Sequence, residues 1–487
     1  MTVTSFFRTP TRLLLTFLIF LFAGPTSGMA AGAGAPHLEG ATLSLIWVAP
    51  FVGILLSIAV FPLLAPRFWH SHFGKVSAFW ALAFLIPFTL VEGFDLALFE
   101  LLHVGLLEYL PFIILLLTLF TVAGGVRVTG SLRGTPVVNT LILLIGTLIA
   151  SWMGTTGAAM LLIRPILRAN EHRANKVHVV VFFIFLVANI GGSLTPLGDP
   201  PLFLGFLKGV DFFWPTTHML MPMLLVSVFL LVLFFAIDSF FYRREDPASV
   251  PAEMEVGPGE EPEKLGLDGK INILLLVGIV AAVLLSGVWK PGISFSVFHV
   301  DVALQNIARD VLLLGIAGLS ILLTSQENRD ANGFSWFPIV EVAKLFAAIF
   351  VTIVPAIAIL KAGTDGAMGV IVSSVSTDAG APVNYMYFWA TGILSSFLDN
   401  APTYLVFFNT AGGDAAILMT EKANTLLAIS AGAVFMGANT YIGNAPNFMV
   451  RAIAEERGIA MPSFFGFMAW SSVILLPCFV VVSFVFF

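Results

Sequence analysis

The sequence predicts an all-α polytopic membrane protein of two inverted-topology repeats, each with a re-entrant hairpin and a broken transmembrane helix. Three observations predict it. The chain has 487 residues, 58% hydrophobic and only 11% charged, where soluble proteins carry about 25% charged residues, and several of its apolar runs reach membrane-spanning length. Ala188–Phe203, ANIGGSLTPLGDPPLF, lies inside one such run yet holds three Gly, three Pro and Asp199. Proline removes a backbone donor and glycine loosens the helix, so the freed groups must face protein or a water-filled cavity. The pattern also returns at a shift of 245 positions, where Gly437–Phe448 reads GANTYIGNAPNF.

At that shift Gly192, Thr195, Gly198, Pro201 and Phe203 fall on Gly437, Thr440, Gly443, Pro446 and Phe448, and Asp199 falls on Asn444. A second pair obeys the same register: Ser151–Ala158, SWMGTTGA, lies over Ser396–Thr403, SFLDNAPT, with Gly154 on Asp399 and Thr155 on Asn400.

In chain order, residues 1–33 read as a signal peptide: Arg8 and Arg12, the apolar run Leu13–Ala23, then small residues near Ala30–Ala33. The alternative is an uncleaved first helix. The first membrane repeat, 34–241, begins with spans at Leu43–Leu64, Val76–Val91 and Leu110–Val126, with Asp95–Tyr109 as a short outer connection. Pro136–Ala150 enters next, breaks at Gly154–Gly157 and returns through Ala158–Leu167. Arg127 and Arg133 flank one end, and Arg164, Arg168, Arg173 and Lys176 the other. Cationic loops stay cytoplasmic, so both ends lie on one side and the segment is a hairpin; a kinked single span would put one basic loop outside. Val177–Leu194 runs outward to the break, and His218–Phe241 returns.

Residues 242–270, with four Pro and eight acidic residues, read as a cytoplasmic linker that cannot bury a core. The second membrane repeat, 271–487, follows the same plan: spans at Ile271–Val288, Val311–Leu323 and Phe337–Leu360, a hairpin broken at Leu398–Pro402, a broken span at Leu426–Arg451, and a last span, Phe464–Phe487. Three spans precede each hairpin, so the second half inserts upside down. The 47 Phe suit a lipid-facing surface. The single Cys478 excludes an internal disulfide, no Cys/His cluster suggests a metal centre, and no Walker A pattern supports ATP drive.

Each break exposes unpaired helix-end N–H and C=O groups. With them Thr155, Thr156, Ser193, Thr195, Asn400, Thr403, Asn439, Thr440 and Asn444 supply oxygens that can replace the water around a small ion such as Na⁺. The bland alternative is that these small polar residues glue packed helices. Asp199 and Asp399 are sharper, because an intramembrane carboxylate is expensive and marks a functional site by default. Burial favours its protonated form and a bound cation its charged form, so one group can exchange H⁺ for Na⁺. The alternative is a capping aspartate at a half-helix start. Asp399, in an otherwise apolar run, ranks first. Arg164, outside both breaks, reads as a topology charge. Glu341 and Lys344 form an i,i+3 pair, and His103, His218, His299, Glu92, Asp95 and Asp238 lie near span ends.

At these residues the chain resembles the ion transporter superfamily, which includes sodium/proton antiporters of the NhaD type, arsenite pumps, and citrate or dicarboxylate transporters. LDNAP at Leu398–Pro402 looks like the antiporters' Asp-Asn-hydrophobic-Pro element, and SLTPLGD at Ser193–Asp199 like their Ser-Pro-Ile-Gly-Asp element. The dicarboxylate carriers' Ser-Asn-Thr tips are replaced by GTT at Gly154–Thr156 and DNAPT at Asp399–Thr403. The resemblance implies a scaffold domain plus a transport domain, a homodimer in the inner membrane of a bacterium, and no cofactor beyond a bound Na⁺. Interrupted apolar segments in both halves likewise point to a secondary transporter's site. The expectation is Na⁺/H⁺ exchange through Asp199 and Asp399, with cation-coupled carriage of citrate or another small carboxylate or inorganic anion as the alternative. An enzyme would need a nucleophile–base pair or metal cluster, which the sequence does not offer; a channel would not need two related broken sites. The lipid bilayer is the expected environment, and nothing suggests nucleic acid.

Overall fold

The computed structural model describes residues 36–130, 132–245 and 266–487. The expected signal peptide and most of the expected linker lie outside them. The regular structure of the described residues is helical apart from two short two-stranded sheets, and nine of the helices are long and apolar enough to cross a membrane.

Helices α1 (Ala49–Leu64), α2 (Pro66–Glu92) and α3 (Phe94–Ala123) come first. The expected outer connection at Asp95–Tyr109 is instead the first half of α3, which continues through a π turn at Gly105–Tyr109. Its residues are apolar enough to stay helical across the bilayer, and its three acids, Asp95, Glu100 and Glu108, do not interrupt the helix. Strand β1 (Arg127–Thr129) then leads to α4 (Pro136–Met153) and α5 (Thr155–Ala169).

Thr135 caps α4 by accepting from Val138 N–H at 3.3 Å, and Pro136 opens it at the position that needs no donor. Gly154 ends α4 at φ +81°, a conformation that a side chain would strain. The chain then turns back: Gly134 N–H donates to Ala169 O at 2.8 Å, so the start of α4 and the end of α5 meet. α4 is long enough to cross, yet with α5 it forms a hairpin. A buried network fixes this end to α8 (Trp214–Tyr242). Arg173 pairs with Asp238 at 2.5 Å, Asn139 donates to Asp238 at 2.9 Å, and Asp238 also lies 2.7 Å from His178.

Between them come α6 (Val177–Leu186), a 3₁₀ turn at Ile190–Leu194, and α7 (Pro200–Leu207). Beyond the linker, β2 (Gly266–Asp268) pairs antiparallel with β1, Val128 facing Leu267, so the linker's last residues are ordered against the first half. Then follow α9 (Ile271–Val288), the hairpin β3 (Ser294–Val297) and β4 (Val300–Ala303), α10 (Leu304–Leu323), α11 (Gln326–Ala331), α12 (Phe337–Thr352) and α13 (Val354–Lys361). The expected single span Phe337–Leu360 is bent by 42° between α12 and α13, because Pro355 removes a donor and crowds the preceding turn. Asn332 Nδ2 donates to Gly124 O and Val126 O at 3.1 and 3.0 Å, and Asn328 Nδ2 to Gly125 O at 2.8 Å. These side chains satisfy carbonyls at the end of α3 that have no helical partner.

The chain closes with α14 (Gly369–Ser374), α15 (Asn384–Phe397), α16 (Asn400–Thr410), α17 (Ala415–Met419), α18 (Ala423–Met436), a 3₁₀ turn at Gly437–Asn439, α19 (Ala445–Glu456) and α20 (Phe464–Phe486). α15 and α16 form a second hairpin; Tyr387 near its start stacks edge-on with Phe407 near its end at 6.3 Å. α5 packs on α19, and α7 on α16.

Large apolar side chains such as Leu64, Leu90, Leu322 and Phe484 stay exposed on the outer helices, as lipid contact requires. The reading of Phe as a lipid-facing residue covers only part of its use. Phe112, Phe182, Phe183, Phe203, Phe234 and Phe350 are fully buried, and Phe112 packs on Phe346 and Phe350 between α3 and α12. Cys478 is buried and free.

Candidate functional site where four breaks meet

Four interruptions supply the site: the two hairpin tips and the two broken spans. Asp199 stands just before α7, but Pro200 and Pro201 occupy the first two helical positions and carry no N–H. The first available amide, Leu202 N–H, bonds the main-chain O of Asp199 at 3.1 Å, so the carboxylate caps no amide and bonds across the structure instead. Thr155 Oγ1, at the first hairpin's tip, donates to Oδ1 at 3.2 Å. Asn400 Nδ2, at the second hairpin's tip, donates to Oδ2 at 2.6 Å. Asn444 Nδ2, before α19, donates to Oδ1 at 3.0 Å. All four residues are buried. One carboxylate thus joins one residue from each of the other three breaks.

The backbone at this junction is tightly set. Thr155 N–H donates to Gly198 O at 2.8 Å. A Cβ at Gly198 would lie 2.1 Å from Gly192 O, so only glycine permits that approach. Thr195 Oγ1 donates to Ser151 O, and in the other half Thr440 Oγ1 donates to Ser396 O at 2.5 Å.

Asp399 has a different setting. It is only half-buried, and it caps α16 by accepting from Ala401 N–H at 3.1 Å. Its geometry is the capping alternative, while Asp199 holds the centre. Of the remaining sequence candidates, Thr156 lines the cavity beside Asp199. Ser193 bonds Ile190 O at 2.8 Å and Thr403 bonds Asp399 O at 3.0 Å, each within its own turn. Asn439 Nδ2 donates to Ser396 Oγ at 2.9 Å. These three, with Thr195 and Thr440, brace the breaks rather than touch Asp199.

Sequence reasoning missed four residues. Ser151 and Ser396 sit at the shared register and tie each hairpin to its own broken span; Ser151 donates to Gly191 O at 2.5 Å and Ser396 to Met436 O at 3.0 Å. Asn189 and Asn447 tie the two broken spans together, Asn189 Nδ2 donating to Asn447 Oδ1 at 2.7 Å. The shift could have found the serines. It could not find the asparagines, whose register positions hold Val434 and Leu202.

A cavity of about 90 Å³ opens beside Asp199, Thr155 and Thr156. Its walls are apolar, from Leu115, Leu119 and Phe120 of α3, Pro338, Ile339 and Val342 of α12, and Met449 of α19. No lysine or arginine lines it. Asn400 Oδ1 is buried without a hydrogen-bond partner. Asn400 does not line the cavity, whose polar side-chain oxygens come from Asp199, Thr155 and Thr156.

Residues 40–487 match the profile of a family described as "Putative citrate transport". No curated protein matches the chain.

Proposed function

From the premise that the chain belongs to this citrate-transport family, we propose that it is a cation-coupled secondary transporter of citrate or another small carboxylate, with Asp199 as the coupling group. The family and the apolar helices make it a multi-pass membrane transporter; the substrate and the coupling are our reading. The observation that carries it is the bonding of Asp199 to Thr155, Asn400 and Asn444. Burial disfavours the ionised carboxylate and an adjacent cation favours it, so the charge on Asp199 can report whether the cation is present. The asparagine amides and Thr155 belong to segments that must shift if the site is to open to either side. Binding or loss of a proton or Na⁺ at Asp199 therefore changes the bonds that hold the four breaks together.

In this reading the halves are inverted repeats, and Thr155–Asn400 and Asp199–Asn444 are equivalent pairs at the shared shift. A second reading, Na⁺/H⁺ exchange with no organic substrate, draws on the second carboxylate, Asp399, at the neighbouring hairpin tip and on the lack of a cationic side chain in the cavity. Purified protein in liposomes separates the two. Accumulation of labelled citrate driven by an imposed Na⁺ or pH gradient supports the first. Na⁺-driven proton movement without citrate uptake replaces it with the second.

A further inference from the structure

We propose that Arg127, Arg164, Arg168 and Arg457 form a carboxylate-binding site at the arginine-rich end of the molecule, where substrate docks before or after the Asp199 cavity. This assignment rests on the carboxylate-transport reading. The four guanidinium groups come from β1, α5 and the end of α19, and with Asn332 they line a cavity of about 30 Å³, room for roughly two water-sized oxygens.

Among the described residues, Arg127, Arg164 and Arg457 make no ion pair. Arg168 Nη2 donates to Val128 O at 3.0 Å. The carboxylate whose field reaches Arg164 is Glu456, whereas Glu455 pairs with Arg451 at 2.8 Å. Arg164 Nη1 is buried with no hydrogen-bond partner, and a buried charged donor is costly unless something accepts from it. The fold makes space for that guanidinium: Gly333, at φ +61°, lies so close that a Cβ there would sit 2.2 Å from Arg164 Nη2. The planar fork of arginine matches the two oxygens of a carboxylate or phosphate.

Position links this pocket to the central site. Gly157, Leu161, Arg164 and Arg168 share one face of α5 by their helical spacing. Gly157 lines the Asp199 cavity, while Leu161 lines the arginine pocket. Beside them Met160 packs with Phe120 and Ile339, joined by Met449 and Phe334; Phe120, Ile339 and Met449 also wall the Asp199 cavity. An apolar plug therefore borders the path between a cationic pocket and a buried carboxylate. A dianionic or trianionic substrate gains a charge-matched stop before it meets the apolar plug.

The test is direct binding and flux with the full chain. Citrate and, separately, inorganic phosphate are titrated onto purified protein in neutral detergent free of anionic lipid, and citrate uptake is measured in liposomes. Arg164→Gln and Arg457→Gln are each expected to weaken binding of both probes at least about tenfold, the loss of one charge-assisted bond, and to raise KM for citrate with the maximal rate little changed. Arg164→Lys keeps the charge but not the fork and should fall between. Gly333→Ala should weaken binding by displacing Arg164 while leaving every arginine in place, which guards against a variant that fails to fold. Wild-type binding and KM in both Gln variants overturn the proposal. So does an arginine-dependent response to phosphatidylglycerol vesicles with none to citrate or phosphate, which assigns the pocket to a lipid headgroup. If the protein carries no citrate but phosphate binding is still lost in Arg164→Gln, the transport reading fails alone and the oxyanion site stands.

Discussion

Asn444 donates to Asp199 at 3.0 Å across 245 positions of sequence, the same interval at which the two polar breaks repeat. The bond is therefore made between register-equivalent residues of the two halves, and it has one titratable and one neutral member. A pair of aspartates there would place two like charges in contact in a dry site. A pair of asparagines would carry no titratable group. The asymmetry leaves a single carboxylate among amide and hydroxyl donors, an arrangement whose bonds change when it gains a proton or a cation.

Asp199→Asn is expected to abolish gradient-driven citrate accumulation, down to the level of protein-free liposomes, in a protein that still folds. The amide keeps the size and accepts one bond but cannot cycle in charge. Its own N–H₂ meets the amides of Asn400 and Asn444, so a cost of about 1–3 kcal/mol is expected from mismatched buried donors. Thermal unfolding in detergent reads the cost and liposome uptake reads the function. Uptake near wild type in the variant would remove Asp199 from the coupling mechanism.

Asp399 supplies a contrasting expectation. Asparagine caps a helix about as well as aspartate, so Asp399→Asn should leave stability within a few tenths of a kcal/mol, while Asp399→Ala should cost about 1 kcal/mol. Most transport should survive the Asn variant. A stable Asp399→Asn protein without transport would instead make Asp399 a second coupling group and move the balance toward Na⁺/H⁺ exchange.

Asp238→Ala should be among the most destabilising single changes in the first half. It leaves Arg173, fully buried at its side chain, without its closest partner, and removal of one member of a buried pair typically costs about 3–5 kcal/mol. Glu245, 3.0 Å from Arg173, retains part of the stabilisation. The check is the unfolding temperature alongside Glu245→Ala, which should shift it less.

Lys208, at the end of α7, bonds Glu108 on the π turn of α3, at the end of the molecule away from the arginine pocket. The pair ties the short helix after Asp199 to a helix outside the four breaks. Glu108→Gln and Lys208→Gln should each slow uptake, and the double variant should be less impaired than the two effects combined. A double-mutant cycle in uptake rate and stability measures that coupling; strict additivity would show the contact to be incidental.

Much of the fold could be read before the structure because it rests on pattern. Gly154, Gly198 and the prolines around them break apolar runs, and the repeat of those breaks located the segments that meet. The tips and the broken spans were legible; the contacts among them were not. Asp399 ranks above Asp199 in the sequence because it stands alone in an apolar stretch, whereas the structure sets the two apart by their local donors. Ala401 offers an N–H to Asp399, while Pro200 and Pro201 offer none to Asp199. The segment Asp95–Tyr109 reads as a connection in the sequence, yet its apolar residues keep it helical. The bend at Pro355 is a local effect of one proline inside an apolar run long enough to read as a single span. Asn189 and Asn447 have no register partners, so no internal comparison could single them out.

The two hairpins should be reached from opposite sides of the membrane. The first opens where Gly134 meets Ala169, beside the arginines of β1 and α5. The second opens at the far end, where Lys422 Nζ donates to Ala411 O at 2.9 Å and Trp214 Nε1 to Met419 O at 3.4 Å. α5 packs on α19 and α7 on α16, so the helices leaving the four breaks pair off toward two ends. Cationic loops are retained in the cytoplasm, which puts the first opening inside. Cys478 is buried, and its replacement by Ser gives a background for single cysteines at exposed positions. Glu171→Cys, beside the first opening, should react with a membrane-impermeant maleimide only in everted vesicles. Ala416→Cys, beside the second, should react only in intact right-side-out cells or spheroplasts. Both residues are exposed in the structure, so lack of reaction from the expected side cannot be laid to burial. Labelling of both from one side would break the inverted arrangement of the two hairpins.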